Sequence, residues 1–253
     1  LVIKPQSEVD VQVERGQLKG WSVQAYRELL SKVGDESFPC TFGTLAAKKK
    51  QIFLAFIEST NPRVVTDRLV EVLTEFAEFI RPLPLVEASM RPLAILLLPP
   101  PEWLTIEDYY HHSWRLVAEV MHRDPDPWPD RLPSDPELPD WSFCFGGVPF
   151  FINFKTPYHE RRRSRRSLHA YTWLVQAREG FDLIAGDTVQ GRAARRVIRK
   201  KLSSYDEMPI FPALNHYGRP ENLEWKQYFV PEGHEPITDK CPLSMDSRTA
   251  LRG

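Results

Sequence analysis

"FINFKTPYHERRRSRR", Phe151 to Arg166, runs from an apolar segment into one histidine and five arginines. The first part has strand character. Side chains on a strand alternate between faces, so Phe151 and Asn153 point away from Ile152 and Phe154. Pro157 ends the ladder, because proline brings no amide hydrogen to it. Tyr158 and His159 then sit on the lip of whatever the strand encloses. Upstream, "WSFCFGG" and "VPFFINF" meet at Gly146-Gly147, a plausible hairpin. Downstream, "AYTWLVQAR" supplies another strand.

Further out, "QIFLAFIES" (Gln51 to Ser59) and "RPLAILLLPP" (Arg91 to Pro100) read as buried strands. Trp21 to Val33 reads as a helix ending at Gly34. Val64 to Ile80 carries apolar residues at Val65, Leu69, Val72, Leu73, Phe76 and Ile80, the spacing of an amphipathic helix stopped by Pro82. Thr105 and Asp108 form a capping-box start for a helix from Ile106 to His122. Gly191 to Tyr205 is a basic helix with Val197, Ile198 and Leu202 inward. Residues 1 to 17 alternate apolar and polar and read as a strand or an ordered arm, and the tail from Met208 is loop-like. Without a βαβ rhythm or a repeat, the pattern implies a single α+β domain over residues 1–253, with a mixed or antiparallel central sheet flanked by helices. Its core lies at about 18–230, followed by a tail at 231–253.

The bulk numbers remove several function classes. The 253 residues hold 33 basic and 34 acidic side chains, a formal charge of -1, so no global field points at nucleic acid or membrane. The longest apolar run, Leu93 to Leu98, is far too short to span a bilayer. Cys40, Cys144 and Cys241 form no CxxC pair, which removes a zinc knuckle and a disulfide framework. GxGxxG and P-loop motifs are absent. The chain reads as cytoplasmic.

Cys40, within "FPCTFG" and read as standing just before a strand, is either a buried apolar cysteine or a thiolate ligand. His122 ends a helix, where the dipole favours an imidazolium. An arginine-rich lip beside an aromatic wall suits an anionic, largely apolar ligand, and haem is one. Phosphate binding to nucleic acid and a solvated turn explain the same cluster. Glu224, before Trp225, can hold an amine or guanidinium, or belong to a plain aromatic anchor.

In this order, "FPCTFG" (38–43), "HRDPDPWPDRLPSDPELPDWSFCFGG" (122–147), "FFINFKTPYHERRRSRR" (150–166) and "YGRPENLEWKQYF" (217–229) resemble the YqcI/YcgG family, from about Asp35 to Phe229. Some members are haem-dependent N-oxygenases that hydroxylate the guanidino nitrogen of L-arginine in cycloserine biosynthesis, or an arginine-derived guanidine in guanitoxin biosynthesis. The resemblance implies a haem b mono-oxygenase whose partners are arginine or a related amine, dioxygen or peroxide, and an electron donor, with a homodimer among the assemblies it allows. His159 is the expected proximal ligand, with His122 and Cys40 next in line. The guanitoxin branch carries histidine directly before the proline, where this chain has Thr156. Arg163, Arg165 and Arg166 are expected to pair with the haem propionates, with Arg161 and Arg162 as substitutes. Phe143, Phe145, Phe150 and Ile152 are expected to wall the porphyrin, and Glu224 with Tyr217 to serve the substrate. The rivals are a haem-binding protein without oxygenase activity and a nucleic-acid module using Arg195, Arg196 and Arg199.

Overall fold

The computed structural model of the chain describes residues 1–186, 188–214, 217, 219 and 221–243. Its strands are β1 (Lys4–Pro5), β2 (Phe53–Ile57), β3 (Leu93–Leu97), β4 (Phe143–Phe145), β5 (Val148–Lys155) and β6 (Tyr171–Ala177). Among the described residues they form one sheet in the order β1-β2-β3-β6-β5-β4. β2 and β3 are parallel, and the other neighbours are antiparallel. The helices are α1 (Gln6–Glu14), α2 (Trp21–Gly34), α3 (Thr41–Lys48), α4 (Pro62–Ile80), α5 (Leu85–Ser89), α6 (Ile106–His122), α7 (Arg178–Ala185), α8 (Val189–Asp206) and α9 (Trp225–Tyr228). The α+β class and the mixed sheet flanked by helices are as expected.

Local chemistry fixes the ends of these elements. Asn61 caps α4, accepting from the amides of Arg63 and Val64, and Pro62 opens the helix. Thr105 and Asp108 form the capping box of α6. The β4–β5 hairpin turns on Gly146 and Gly147 at φ +58 and +69, left-handed values that glycine adopts without strain.

The two faces of the sheet differ. One is a dry aromatic core in which Phe150, Ile152, Phe154, Tyr171, Trp173 and Val175 pack against α4, α6 and the segment 225–229. Phe76 of α4 stacks on Phe150 with ring centres 5.6 Å apart. The opposite face, with Leu54, Ala94 and Leu96, packs on α1, α2, α3 and Tyr205 of α8.

Three local expectations are corrected. Residues 1–17 hold a two-residue strand followed by a helix, in which Gln6 and Val9 are buried. "FPCTFG" leads into α3, not a strand, with Cys40 as its N-cap. The tail is not all loop, since α9 lies within it; residues 244–253 lie outside the described part.

Candidate functional site

Between the second face of the sheet and α2, α3 and α8 lies a cavity of about 280 Å³, close to the lower end of the range for small-ligand sites. β5 contributes Phe151, Asn153 and Lys155, the odd-numbered side of the strand. Cys40 enters from the start of α3, where its sulfur accepts the Gly43 amide at 3.3 Å. α8 adds Arg195, Ile198, Arg199 and Leu202. α8 thus turns Arg195 and Arg199 into the cavity, while Arg196 is exposed and outside its lining, as is Val197, contrary to the expected inward face.

One pole of the cavity is built on Glu224, which is 1% exposed. Its Oε1 accepts from the Ser142 hydroxyl at 2.7 Å and the Tyr228 hydroxyl at 2.8 Å, and Oε2 lies 2.6 Å from Nε of Arg178. The Arg178 guanidinium lies 4.0 Å from the ring centre of Tyr217, whose hydroxyl donates to the Asp140 carbonyl. Burial, reinforced by Glu224, holds the Tyr228 phenol far above its ordinary range. The expected pair Glu224 and Tyr217 therefore meet at the cavity, but around a guanidinium supplied by the chain itself. His216 lies outside the described residues.

The other pole is cationic. Lys155, buried at the end of β5, donates to the Ser164 carbonyl at 2.9 Å and lies 5.0 Å from the ring centre of Phe38. Burial, then the nearby Arg165, pulls its pKa down to about 7. Burial likewise lowers Arg165, to about 10. A 3-10 turn at Arg163–Arg165 presents Arg165, and Asp206 fixes the turn by accepting from the Ser164 amide at 2.7 Å and hydroxyl at 2.9 Å.

The arginine cluster does not form a common rim. Arg162 is buried, with its guanidinium donating to the Pro231 and Gly233 carbonyls. Arg163 lies on the surface and pairs with Glu207 at 3.4 Å. The Arg166 carbonyl accepts from Lys32, and the Arg161 amide donates to the Glu232 carboxylate. Of the five arginines only Arg165 is among the described lining of the cavity.

His159 is placed elsewhere. It is 0% exposed, its Nε2 donates to the Val230 carbonyl at 2.9 Å, and its Nδ1 accepts the Thr156 hydroxyl at 3.0 Å. Burial lowers its pKa to about 3, so the ring is neutral. With both nitrogens committed to the chain, it pins the segment after β5 to residue 230 and offers no lone pair to iron in this arrangement. Phe150 and Ile152, like Phe143 and Phe145 of β4, belong to the dry core across the sheet and not to the cavity wall. His122 is exposed at the end of α6, away from the cavity lining. Among the described residues no group of three or more His, Cys, Asp or Glu could hold a metal ion, and no helix is long and apolar enough to cross a membrane.

Sequence reasoning missed Asn153, Lys155 and Arg178. The signal for the first two was present, since the alternation that places Ile152 on one face places Asn153 and Lys155 on the other.

The matches to known proteins span nearly the whole chain. The model of the "YqcI/YcgG family" matches residues 26–244. "Uncharacterized protein YqcI" of Bacillus subtilis (strain 168) is 34% identical over 240 residues, covering 92% of each chain. "Uncharacterized protein YcgG" of the same organism is 36% identical over 234 residues, 90% of each. A Streptomyces lavendulae protein named "Putative N(omega)-hydroxy-L-arginine synthase DcsA" is 32% identical over 228 residues, 90% of this chain and 85% of that one. No solved structure matches. On the extent of the family match and these identities, the chain belongs to the YqcI/YcgG family.

Proposed function

We propose that the chain is an enzyme that N-hydroxylates arginine or a similar nitrogen-rich amino acid bound in the cavity between β5, α3 and α8. The observation that carries this reading is the 32% identity, across nine-tenths of the chain, to the Streptomyces relative whose name gives that product. The cavity supports it chemically. At Lys155 and Arg165 it has a cationic pole that complements a ligand's carboxylate, while Glu224 at the other end is matched by Arg178 and orders that wall. In the net reaction one oxygen atom enters an N–H bond, and the other leaves as water with two electrons and two protons from an external donor.

Haem fits this site in one of the expected ways and not in the other. The His159 form does not fit, because Thr156 and Val230 occupy both ring nitrogens. The Cys40 form does, since its sulfur stands in the cavity wall, which Arg165, Arg195 and Arg199 also line. Cys40 would hold the iron, and bound haem would supply oxygen activation, which a thiolate ligand favours. The rest of the wall orients the substrate and keeps out water. The test is purified protein incubated with arginine, a reductant and oxygen. The reading expects a Soret band, a type b haemochrome and a product heavier by one oxygen atom. Cys40→Ser keeps an N-cap oxygen and should fold normally while losing the haem. Full haem content in that variant refutes the thiolate assignment, and no oxygenated product from any guanidine or amine refutes the activity.

A further inference from the structure

The cationic pole has an electrostatic imbalance that the fold itself does not resolve. Lys155 and Arg165 are 5% and 7% exposed, and burial disfavours the charged form of each; the charge of Arg165 adds to this at Lys155, and that of Arg162 at Arg165, where Asp206 opposes it. Neither has an ion pair among the described residues, and Nη1 of Arg165 finds no hydrogen-bond acceptor. The acidic neighbour, Asp206, already accepts from Ser164 with both oxygens. A third buried cation nearby, Arg162, has only carbonyls on its fork. Taking a charge out of water is costly unless a counter-charge compensates it. Two positions back on the same strand face, roughly 6–7 Å away along β5, Oδ1 of Asn153 is likewise buried without a donor. The cavity lining therefore includes an orphan donor on a cation, Nη1 of Arg165, and an orphan acceptor on an amide, Oδ1 of Asn153.

We propose that this pole binds a carboxylate, held by Arg165 with Lys155, while Asn153 accepts a hydrogen bond from a donor group on the same ligand. The proposal rests on the cavity being the ligand site argued above. A carboxylate fits better than a point anion, because the guanidinium fork matches its two oxygens. The α-carboxylate of an amino-acid substrate and the acid side chain of a porphyrin share this chemistry.

Calorimetric titration separates the sources. L-Arginine is compared with agmatine, which keeps the guanidine and lacks the acid, and hemin with its dimethyl ester. One pair should show about tenfold or more preference for the acid, the equivalent of one charge-assisted hydrogen bond. Arg165→Met should abolish that preference and leave the affinity of the acid-free partner unchanged. Preference within the arginine pair assigns the pole to the substrate, and within the hemin pair to the cofactor. No preference in either pair, or one that survives Arg165→Met, overturns the proposal. A second reading guards against a folding defect: without added ligand, Arg165→Met should raise the thermal midpoint, because it removes a buried charge. A lowered midpoint counts against the proposal. Both measurements are independent of turnover, so a preference found in protein that oxygenates nothing sinks the proposed activity and leaves the carboxylate pole standing.

Discussion

Replacing His159 by glutamine should flatten the acid side of the stability profile. In the folded protein burial depresses the pKa of this ring to about 3, opposed in part by its bond to the Val230 carbonyl and reinforced by the charges of Arg165, Arg162 and Lys155. In the unfolded chain it titrates near 6.5. Above about pH 6.5 the ring is neutral in both states, and the native contacts keep their full value. Below that, the unfolded ring takes up a proton that the folded ring refuses until about pH 3, so stability falls by about 1.4 kcal/mol per pH unit. From about pH 6.5 to about pH 5 the loss is about 2 kcal/mol. The variant also forfeits two buried hydrogen bonds, about 1–3 kcal/mol at neutral pH. Urea unfolding followed by tryptophan fluorescence at about pH 7.5 and about pH 5 measures both terms. The gap between wild type and variant should shrink by about 2 kcal/mol at the lower pH. A gap of equal size at both pH values would refute the neutral, doubly bonded histidine and revive its availability to a metal.

Further measurements test the surrounding architecture. Glu224→Gln and Arg178→Met should each cost about 3–5 kcal/mol, and the double variant less than their sum; additivity within about 0.5 kcal/mol means the pair is not energetically coupled. Phe150→Ala, on the face stacked against Phe76, should cost about 3–5 kcal/mol in urea unfolding and leave ligand affinity unchanged. Gly146→Ala should cost at least about 1–2 kcal/mol for a left-handed alanine, and its added carbon would stand 2.8 Å from Cβ of Ala77.

The elements were legible wherever periodicity and capping agreed. Thr105 and the Gly146-Gly147 turn mark their boundaries in the sequence as they do in the structure. The N-terminal segment misled because Val9, Val11 and Val13 alternate as in a strand, yet only Val9 of these is buried on a helix held against the sheet. Local pattern lost there to tertiary packing. The site was half legible. Glu224 and Tyr217 could be singled out, but their guanidinium partner, Arg178, lies 46 positions before Glu224 and carries no local signature. Alternation on β5 divides its residues into two sets without saying which set meets helix and which meets empty space. The aromatic set looks like a ligand wall and is core. His159 looked like a ligand because its partner, the Val230 carbonyl, is a backbone atom 71 positions away that no side-chain pattern reveals.

The strand order has a consequence for how this chain is made. β3, with five fully buried residues, has its second neighbour in β6, whose first residue follows the last of β3 by 74 positions. At the pace of a ribosome that gap lasts about 4–15 seconds. During it the nascent Leu93–Leu97 segment has a bare hydrogen-bonding edge, the feature that recruits chaperones or another unfinished copy. Slowing translation between the codons for residues 98 and 170 should therefore lower the yield of folded protein without altering a single side chain.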